Sequence, residues 1–223
     1  AKALETLEAG LGKLEGEGMN ATVVLSNHFV RYALVPWSEQ ISGVDEEQAY
    51  TLHCFAQIYG DAASRWALRK SAGAYGETQV ASAIDHDLLQ GIERITLARG
   101  LRLVSLQPYL MTAFNRWRQQ LPDAAAWFVV VEPGRLCALR PGAKGWRSLR
   151  AVKVGADWPD ALKNLLEREF LVSESGGERG TVCLYAPGSD AAAELPGWEV
   201  RRLAAEPGAV PDIEFQFATT VSE

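Results

Sequence analysis

The chain has 223 residues, 48% of them hydrophobic, enough for one large domain or two modest ones with a substantial core. Its 22 Lys and Arg stand against 28 Asp and Glu, a net charge of -6, so no global basic field exists to hold a phosphate backbone and nucleic acid is excluded as an expected partner. No apolar run approaches the roughly 20 residues that span a bilayer, and no signal-peptide pattern opens the chain, so any membrane link is expected to run through a partner.

Leu4, Leu7, Leu11 and Leu14 recur at helical spacing with glutamates between them, and Gly16 and Gly18 end the pattern. The chain starts at Ala1 inside this helix, so elements that belong before it are expected to be missing. Apolar, β-branched runs predict strands over 22–25 and 29–35, divided by a Ser26-Asn27-His28 turn and closed by Pro36. Asp45 is expected to cap a helix with Glu46 and Glu47 in its first turn. Its buried face would be Ala49, Leu52, Phe55, Ala56 and Tyr59. Residues 65–70 and 78–84 read as a hairpin around Gly73 and Gly76. Asp85 caps the next helix, with Leu88, Leu89, Ile92 and Ile95 on one face, and Gly100 leads into a strand over 101–106. Pro108 opens a helix carrying Leu110, Phe114, Trp117 and Leu121. Pro122 and the small residues after it mark a domain boundary, dividing 1–121 from 122–223.

Beyond the boundary the pattern gives strands over 127–131, 136–140 and 146–154, simplest as a three-stranded meander. Asp157 caps a helix with Leu162, Leu165, Leu166 and Phe170 inward. A polar loop over 173–180 then leads to strands over 181–185 and 198–203. The order β-β-β-α-β with a later β describes a ribonuclease H-like unit of the actin-like fold. The first half echoes it if a meander is missing upstream: helix, strand, a β-α-β-β insertion from about 28 to 84, helix, strand and helix. The fold class expected is therefore α/β with mixed sheets, two ribonuclease H-like halves of an actin-like fold.

The hairpin over 127–140 has the frame of a phosphate clamp, which needs backbone N–H groups and a hydroxyl at its turn. Its turn offers Glu132, Pro133, Gly134 and Arg135 instead. Pro133 has no N–H, and Glu132 sets a negative charge where phosphate oxygens would sit. We read Glu132, Gly134 and Arg135 as a vestigial clamp. Cys54, Cys137 and Cys183 sit among apolar neighbours, which suits reduced core thiols and a cytoplasmic setting. His28, His53 and His86 show no spacing of a metal pair and read as structural. Glu132, Glu167, Glu169 and Asp190 are the carboxylates a metal-dependent nuclease would need, but the helix acids fall in a solvated register and Asp190 in a polar loop. No catalytic residue and no metal ligand is expected. Trp37 at a Pro36 corner, with Arg31 and Tyr32 on the strand before it, reads as a partner-binding surface.

Residues 23–37, Val-Val-Leu-Ser-Asn-His-Phe-Val-Arg-Tyr-Ala-Leu-Val-Pro-Trp, resemble the start of the inserted subdomain in the PilM family of pilus-assembly proteins and are similar to its type II secretion counterpart, GspL. Leu97-Ala98-Arg99-Gly100-Leu101 is similar to the strand entry that follows the insertion there. The resemblance implies an actin-like fold, with nucleotide bound in the cleft by PilM and no longer turned over in the GspL branch. It also implies a place on the cytoplasmic face of the inner membrane, linking membrane components to an assembly ATPase. This chain departs from a nucleotide-binding member at each motif: the first phosphate hairpin would precede the first helix, the second falls on Glu132-Pro133-Gly134-Arg135, and Ala186-Pro187-Gly188 stands at the adenosine loop. The function expected is a non-catalytic scaffold binding protein partners of an envelope machine, without a cofactor. The alternative is an ATPase using ATP and magnesium whose first phosphate hairpin lies outside this chain.

Overall fold

A computed structural model describes residues 2–12, 18–122, 126–172 and 179–204. Leu14, the loop 173–178 and the residues just after Pro122 lie outside them. Helix α1 (Lys2–Leu11) leads to strand β1 (Asn20–Leu25), and β2 (Arg31–Val35) follows the Ser26-Asn27-His28 turn. Next come α2 (Val44–Tyr59), a 3-10 turn (Gly60–Arg65), β3 (Trp66–Lys70), β4 (Gln79–Asp85), α3 (His86–Ala98), β5 (Arg102–Pro108) and α4 (Tyr109–Trp117). The remainder is β6 (Trp127–Glu132), β7 (Arg135–Gly142), β8 (Gly145–Lys153), α5 (Trp158–Val172), β9 (Thr181–Tyr185) and β10 (Glu199–Arg202).

These strands make three sheets. The meander β6-β7-β8 is antiparallel, and β9 then β10 add in parallel beside β6, giving the order β10-β9-β6-β7-β8. Strand β6 is central, and every one of its six residues is buried. That explains why Trp127 to Val131 reads as one continuous apolar run: the strand is covered on both faces. On one face Trp127, Val129 and Val131 pack with α5 residues Leu162, Leu165 and Leu166. On the other, Phe128 and Val130 join Leu25, Tyr32, Ile92, Tyr109, Leu110 and Trp117, so a single core runs from this sheet into the preceding elements.

Strands β1 and β5 form a two-stranded parallel sheet. Between them in the chain lies the antiparallel sheet β2-β4-β3, within the stretch expected as an insertion over 28–84. Helix α2 covers one of its faces through Cys54 and Phe55, with Tyr59 stacked on Phe55 and Trp66 meeting both rings edge to face. Asp85 caps α3 as expected, accepting from the Asp87 N–H at 2.9 Å. Asp45 does not cap α2. The helix begins two residues earlier than expected, Gly43 takes the extended cap position, and Glu46 reaches back to the Ser42 N–H at 3.0 Å. Pro108 likewise stands at the cap of α4, in extended conformation, and not in its first turn. The buried face of α2 is also rotated from expectation: Thr51, Cys54 and Phe55 face the sheet, whereas Ala49, Leu52 and Ala56 are exposed. All three cysteines are free and buried.

Among the described residues, a backbone crossing ties the three-stranded sheet to the five-stranded one. Thr78 N–H donates to the Lys144 carbonyl at 3.0 Å, and Trp146 N–H donates to the Thr78 carbonyl at 3.1 Å. Gly145 between them has φ +83, and a Cβ there would collide with the Thr78 backbone, whose nitrogen is 2.8 Å away. Gly76 also has positive φ, +79, but nothing lies within 4 Å of its missing Cβ. Gly76→Ala is therefore expected to cost about 1 kcal/mol, the strain of the left-handed backbone alone. Gly145→Ala is expected to cost about 2–3 kcal/mol because the crossing must also separate. Urea midpoints compare the two directly, and equal costs would show that the crossing is unimportant.

Candidate functional site

The β6–β7 turn is a two-residue link, with Glu132 paired to Arg135 across it and Gly134 at φ +78. Proline's fixed φ followed by glycine's positive φ closes such a turn without strain. The Val154 N–H donates to the Gly134 carbonyl at 3.2 Å, binding the turn to the chain beyond β8.

Glu132 is only 4% exposed. Its carboxylate accepts from the Asn27 N–H at 2.9 Å, across 105 residues of sequence. Asn27 is itself buried and is the centre of the junction: its Oδ1 accepts from the Tyr32 hydroxyl at 2.5 Å and from the Leu110 N–H at 3.1 Å. His28 closes the other side, its Nε2 lying 2.8 Å from the Pro133 carbonyl. A carbonyl cannot donate, so that nitrogen carries the proton. Its ring also packs 3.2 Å from the position a Cβ on Gly134 would take. The turn that looks like a phosphate clamp thus grips the loop after β1. Burial raises the Glu132 carboxyl above the ordinary range, opposed by hydrogen bonds from Ser26 and the Asn27 N–H and by the nearby His28. Burial also raises the Tyr32 phenol, with the Cys137 and Glu132 charges acting in the same direction.

Behind this turn is an open cleft of about 680 Å³, between the ends of β6 and β9 and the start of α5. His28, Glu132, Gly134, Gly155, Trp158 and Ser189 are among the residues lining it, and among the described residues no Lys or Arg lines it. The Ser189 hydroxyl accepts from the Trp158 indole at 3.3 Å and its N–H is turned to the Ala186 carbonyl at 3.3 Å. A triphosphate needs cations and free amides converging on it. Proline, an acid and an engaged serine are a poor match, although the space is sufficient. Arg135, expected in the vestigial clamp, does not line the cleft: its Nε is buried without a hydrogen-bond partner, and its charge acts on Tyr32 and Tyr59.

A larger groove of about 1260 Å³ separates the three-stranded sheet and α2 from α3 and β5. Strands β3 and β5 are outer strands of their sheets, and both border it. Leu52, exposed by the rotation of α2, and Val104, 52% exposed on β5, supply apolar contact, and charges of both signs line the walls, Asp45, Glu47 and Glu93 with Arg69 and Lys70, of which Lys70 pairs with Glu47. Neither apolar residue was evident as a surface feature from the sequence, since each fits a buried position in its own periodic pattern.

The expected partner residues do not form one surface. Tyr32 is corrected: its ring is buried at 3% exposure and its hydroxyl is spent on Asn27, so it is not available to a partner. Arg31 is half-buried, its Nη1 donating to the His28 and Val30 carbonyls at 3.2 Å each. Trp37 is 37% exposed and meets Tyr75 edge to face at 4.7 Å, with Tyr75 itself 85% exposed. Among the carboxylates weighed as metal ligands, Glu169 bonds Ser148 and Arg150, and Glu167 bonds Arg179. The described residues contain no cluster of three metal-ligating side chains.

No family model matches the sequence, and no curated protein matches it. Among solved structures, the fold is similar to that of a PilM-PilN type IV pilus biogenesis complex, with TM-score 0.60 and 15% identity over 90% of this chain and 74% of that one. It is similar to the cytoplasmic domain of EpsL, an inner membrane component of the type II secretion system of Vibrio cholerae, with TM-score 0.58 and 11% identity over 98% of this chain and 78% of that one. A Bacteroides thetaiotaomicron protein with an actin-like ATPase fold and unknown function aligns with TM-score 0.58 and 7% identity, covering 97% of this chain and 80% of that one. The fold is actin-like, of the kind seen in PilM and EpsL.

The junction makes a prediction. A carboxyl raised by burial is protonated more readily in the folded chain than in the unfolded one. Folding is therefore least penalised below the ordinary carboxylate range, and stability falls as pH rises through that range toward the folded value. Glu132→Gln keeps an acceptor for the Asn27 N–H without the charge and is expected to flatten this fall. Glu132→Ala leaves that N–H buried and unpaired and is expected to cost about 1–3 kcal/mol at all pH values. Urea titrations of the three proteins between pH 4 and pH 8 read both effects, about one kcal/mol being resolvable.

Proposed function

We propose that this chain is a non-catalytic actin-like scaffold that binds protein partners at the cytoplasmic face of a pilus- or secretion-type envelope machine. One observation carries the reading: where a phosphate clamp needs free amides, Pro133 has none and the Glu132 carboxylate is sealed over Asn27. The fold likeness to PilM and to the EpsL cytoplasmic domain supports the setting. No described helix is long and apolar enough to cross a membrane, which fits attachment through a partner. On this reading residues 1–121 and 122–223 are the two halves, with the three-stranded sheet inserted in the first.

The partner surface is the groove between that sheet and α3 and β5. An extended peptide entering it meets two strand edges able to extend a sheet, with Leu52 and Val104 for its apolar side chains. Trp37, with Tyr75, and Arg31 belong to the same three-stranded subdomain as additional contacts.

A second reading, a nucleotide-binding ATPase, is favoured by the cleft volume alone, which lies in the range of about 300–1,000 Å³ usual for small-molecule sites. Thermal unfolding with Mg-ATP separates the two. At about 100 times a dissociation constant, a ligand adds about 2.7 kcal/mol of stability. The scaffold reading expects no change in melting temperature, and a rise of several degrees overturns it. A photo-crosslinker placed at Val104 in the native host is expected to capture a component of an envelope assembly, and Leu52→Glu to abolish the product. Crosslinking unchanged by that charge would remove the groove as the partner site.

A further inference from the structure

The end of the five-stranded sheet away from the β6–β7 turn carries a second polar cluster. Trp127, Arg140 and Ser148 lie in one row across β6, β7 and β8: Phe128 pairs with Leu139, which sets Trp127 beside Arg140, and Arg140 pairs with Ser148. The row is on the α5 side of the sheet, where Trp127 packs with Leu162, Leu165 and Leu166. Glu169 continues that stripe of α5 by one turn and meets the row. Both of its oxygens are engaged, Oε2 accepting from the Ser148 hydroxyl and Oε1 from Arg150 Nε, each at 2.7 Å.

Two donors in the row are left over. Trp127 is 1% exposed, and its indole N–H has no hydrogen-bond partner. Arg140 is partly buried, with its guanidinium carbon over the Trp127 ring at 5.6 Å from the ring centre. Burial holds this guanidinium below its ordinary pKa, the charge of Arg147 acts in the same direction, and Glu169 opposes them through its charge. The Glu169 carboxylate is spent on Ser148 and Arg150 and makes no hydrogen bond to Arg140. A buried N–H without an acceptor is unfavourable, and a part-buried charge without one more so. Two donors that share one acceptor group through hydrogen bonds of about 2.9 Å stand about 5–6 Å apart. The guanidinium and the indole are separated by a comparable distance.

We infer that Arg140 and the Trp127 indole hold a phosphate group between them, as inorganic phosphate or a small phosphate monoester taken from solution. Arg140 is the partly exposed member, so the anion enters on its side, and its planar fork matches two phosphate oxygens. A planar carboxylate would be filled by that fork. The indole N–H comes from a separate ring beneath the guanidinium, and meeting it takes a third oxygen, which a tetrahedral anion supplies. The Arg147 charge, unfavourable to Arg140 alone, favours the filled site. Arg140 is five residues along β7 from Arg135, about 17 Å in an extended strand, so the site is separate from the cleft at the β6–β7 turn. The inference does not rest on the scaffold reading.

The indole N–H resonance of Trp127, assigned by its loss in Trp127→Phe, reports occupancy directly. Inorganic phosphate, added at constant ionic strength with chloride as the balancing anion, is expected to move that resonance saturably. Glycerol phosphate separates the two sources: movement by both assigns the site to monoesters, and movement by inorganic phosphate alone assigns it to the free ion. Acetate is expected to bind at least about tenfold more weakly than phosphate, and Arg140→Gln to weaken phosphate about tenfold or more, the loss of hydrogen bonds to a charged group. Arg140→Lys keeps the charge without the fork, stands in should Arg140→Gln fail to fold, and is expected to weaken phosphate at least about threefold. Lys153→Gln, at the far end of β8, is expected to leave binding unchanged. Four results would overturn the inference: a Trp127 resonance that phosphate does not move, acetate binding as tightly as phosphate, Arg140 variants binding like the parent, or Lys153→Gln weakening phosphate as much as they do.

Discussion

Burying a carboxylate is unfavourable unless donors meet it, and Glu132 is met by a backbone amide 105 residues earlier in the chain. That requirement fixes much else. The Asn27 amide can point at Glu132 only if its side chain is held, and the Tyr32 hydroxyl and Leu110 N–H hold it. Tyr32 is the second residue of β2 and Leu110 the second of α4, so one polar cluster joins the ends of β1, β2, α4 and the β6–β7 hairpin. The surrounding core supplies the bulk of the stabilisation, and removing one member of the cluster would leave its partners buried and unpaired.

The same cluster sets this turn apart from a phosphate clamp of the same shape. A clamp that closes on phosphate must leave its amides open to solvent until a ligand arrives. Here the turn is closed by the protein itself, with an internal carboxylate and an imidazole as the two ends of the grip. The resulting cleft is a space bounded by groups already engaged with one another.

Much of the fold was legible in the sequence because its signals are local. The apolar run at Trp127 to Val131, the Asp85 cap and the turn glycines each act within a few residues, and every main strand and helix they announce is present. What could not be read was set at a distance. Helix α2 turned Leu52 outward because Phe55 and Cys54 fit the sheet better, a choice made by residues 33–35 and 81–83. Tyr32 was expected near a surface because strand alternation alone does not reveal that Asn27 needs its hydroxyl. The hairpin chemistry at Glu132 and Pro133 was visible, but not that His28, read as an ordinary turn residue, would be its partner.

The backbone crossing at Thr78 and Gly145 has a mechanical consequence. In the chain the three-stranded sheet joins its surroundings through the segments before β2 and after β4, which connect to β1 and α3. In space a third attachment holds it to the β7–β8 turn. A body fixed at three points does not swing on a hinge made by two of them. Widening the groove therefore has to break this crossing or carry the β7–β8 turn along with the insert.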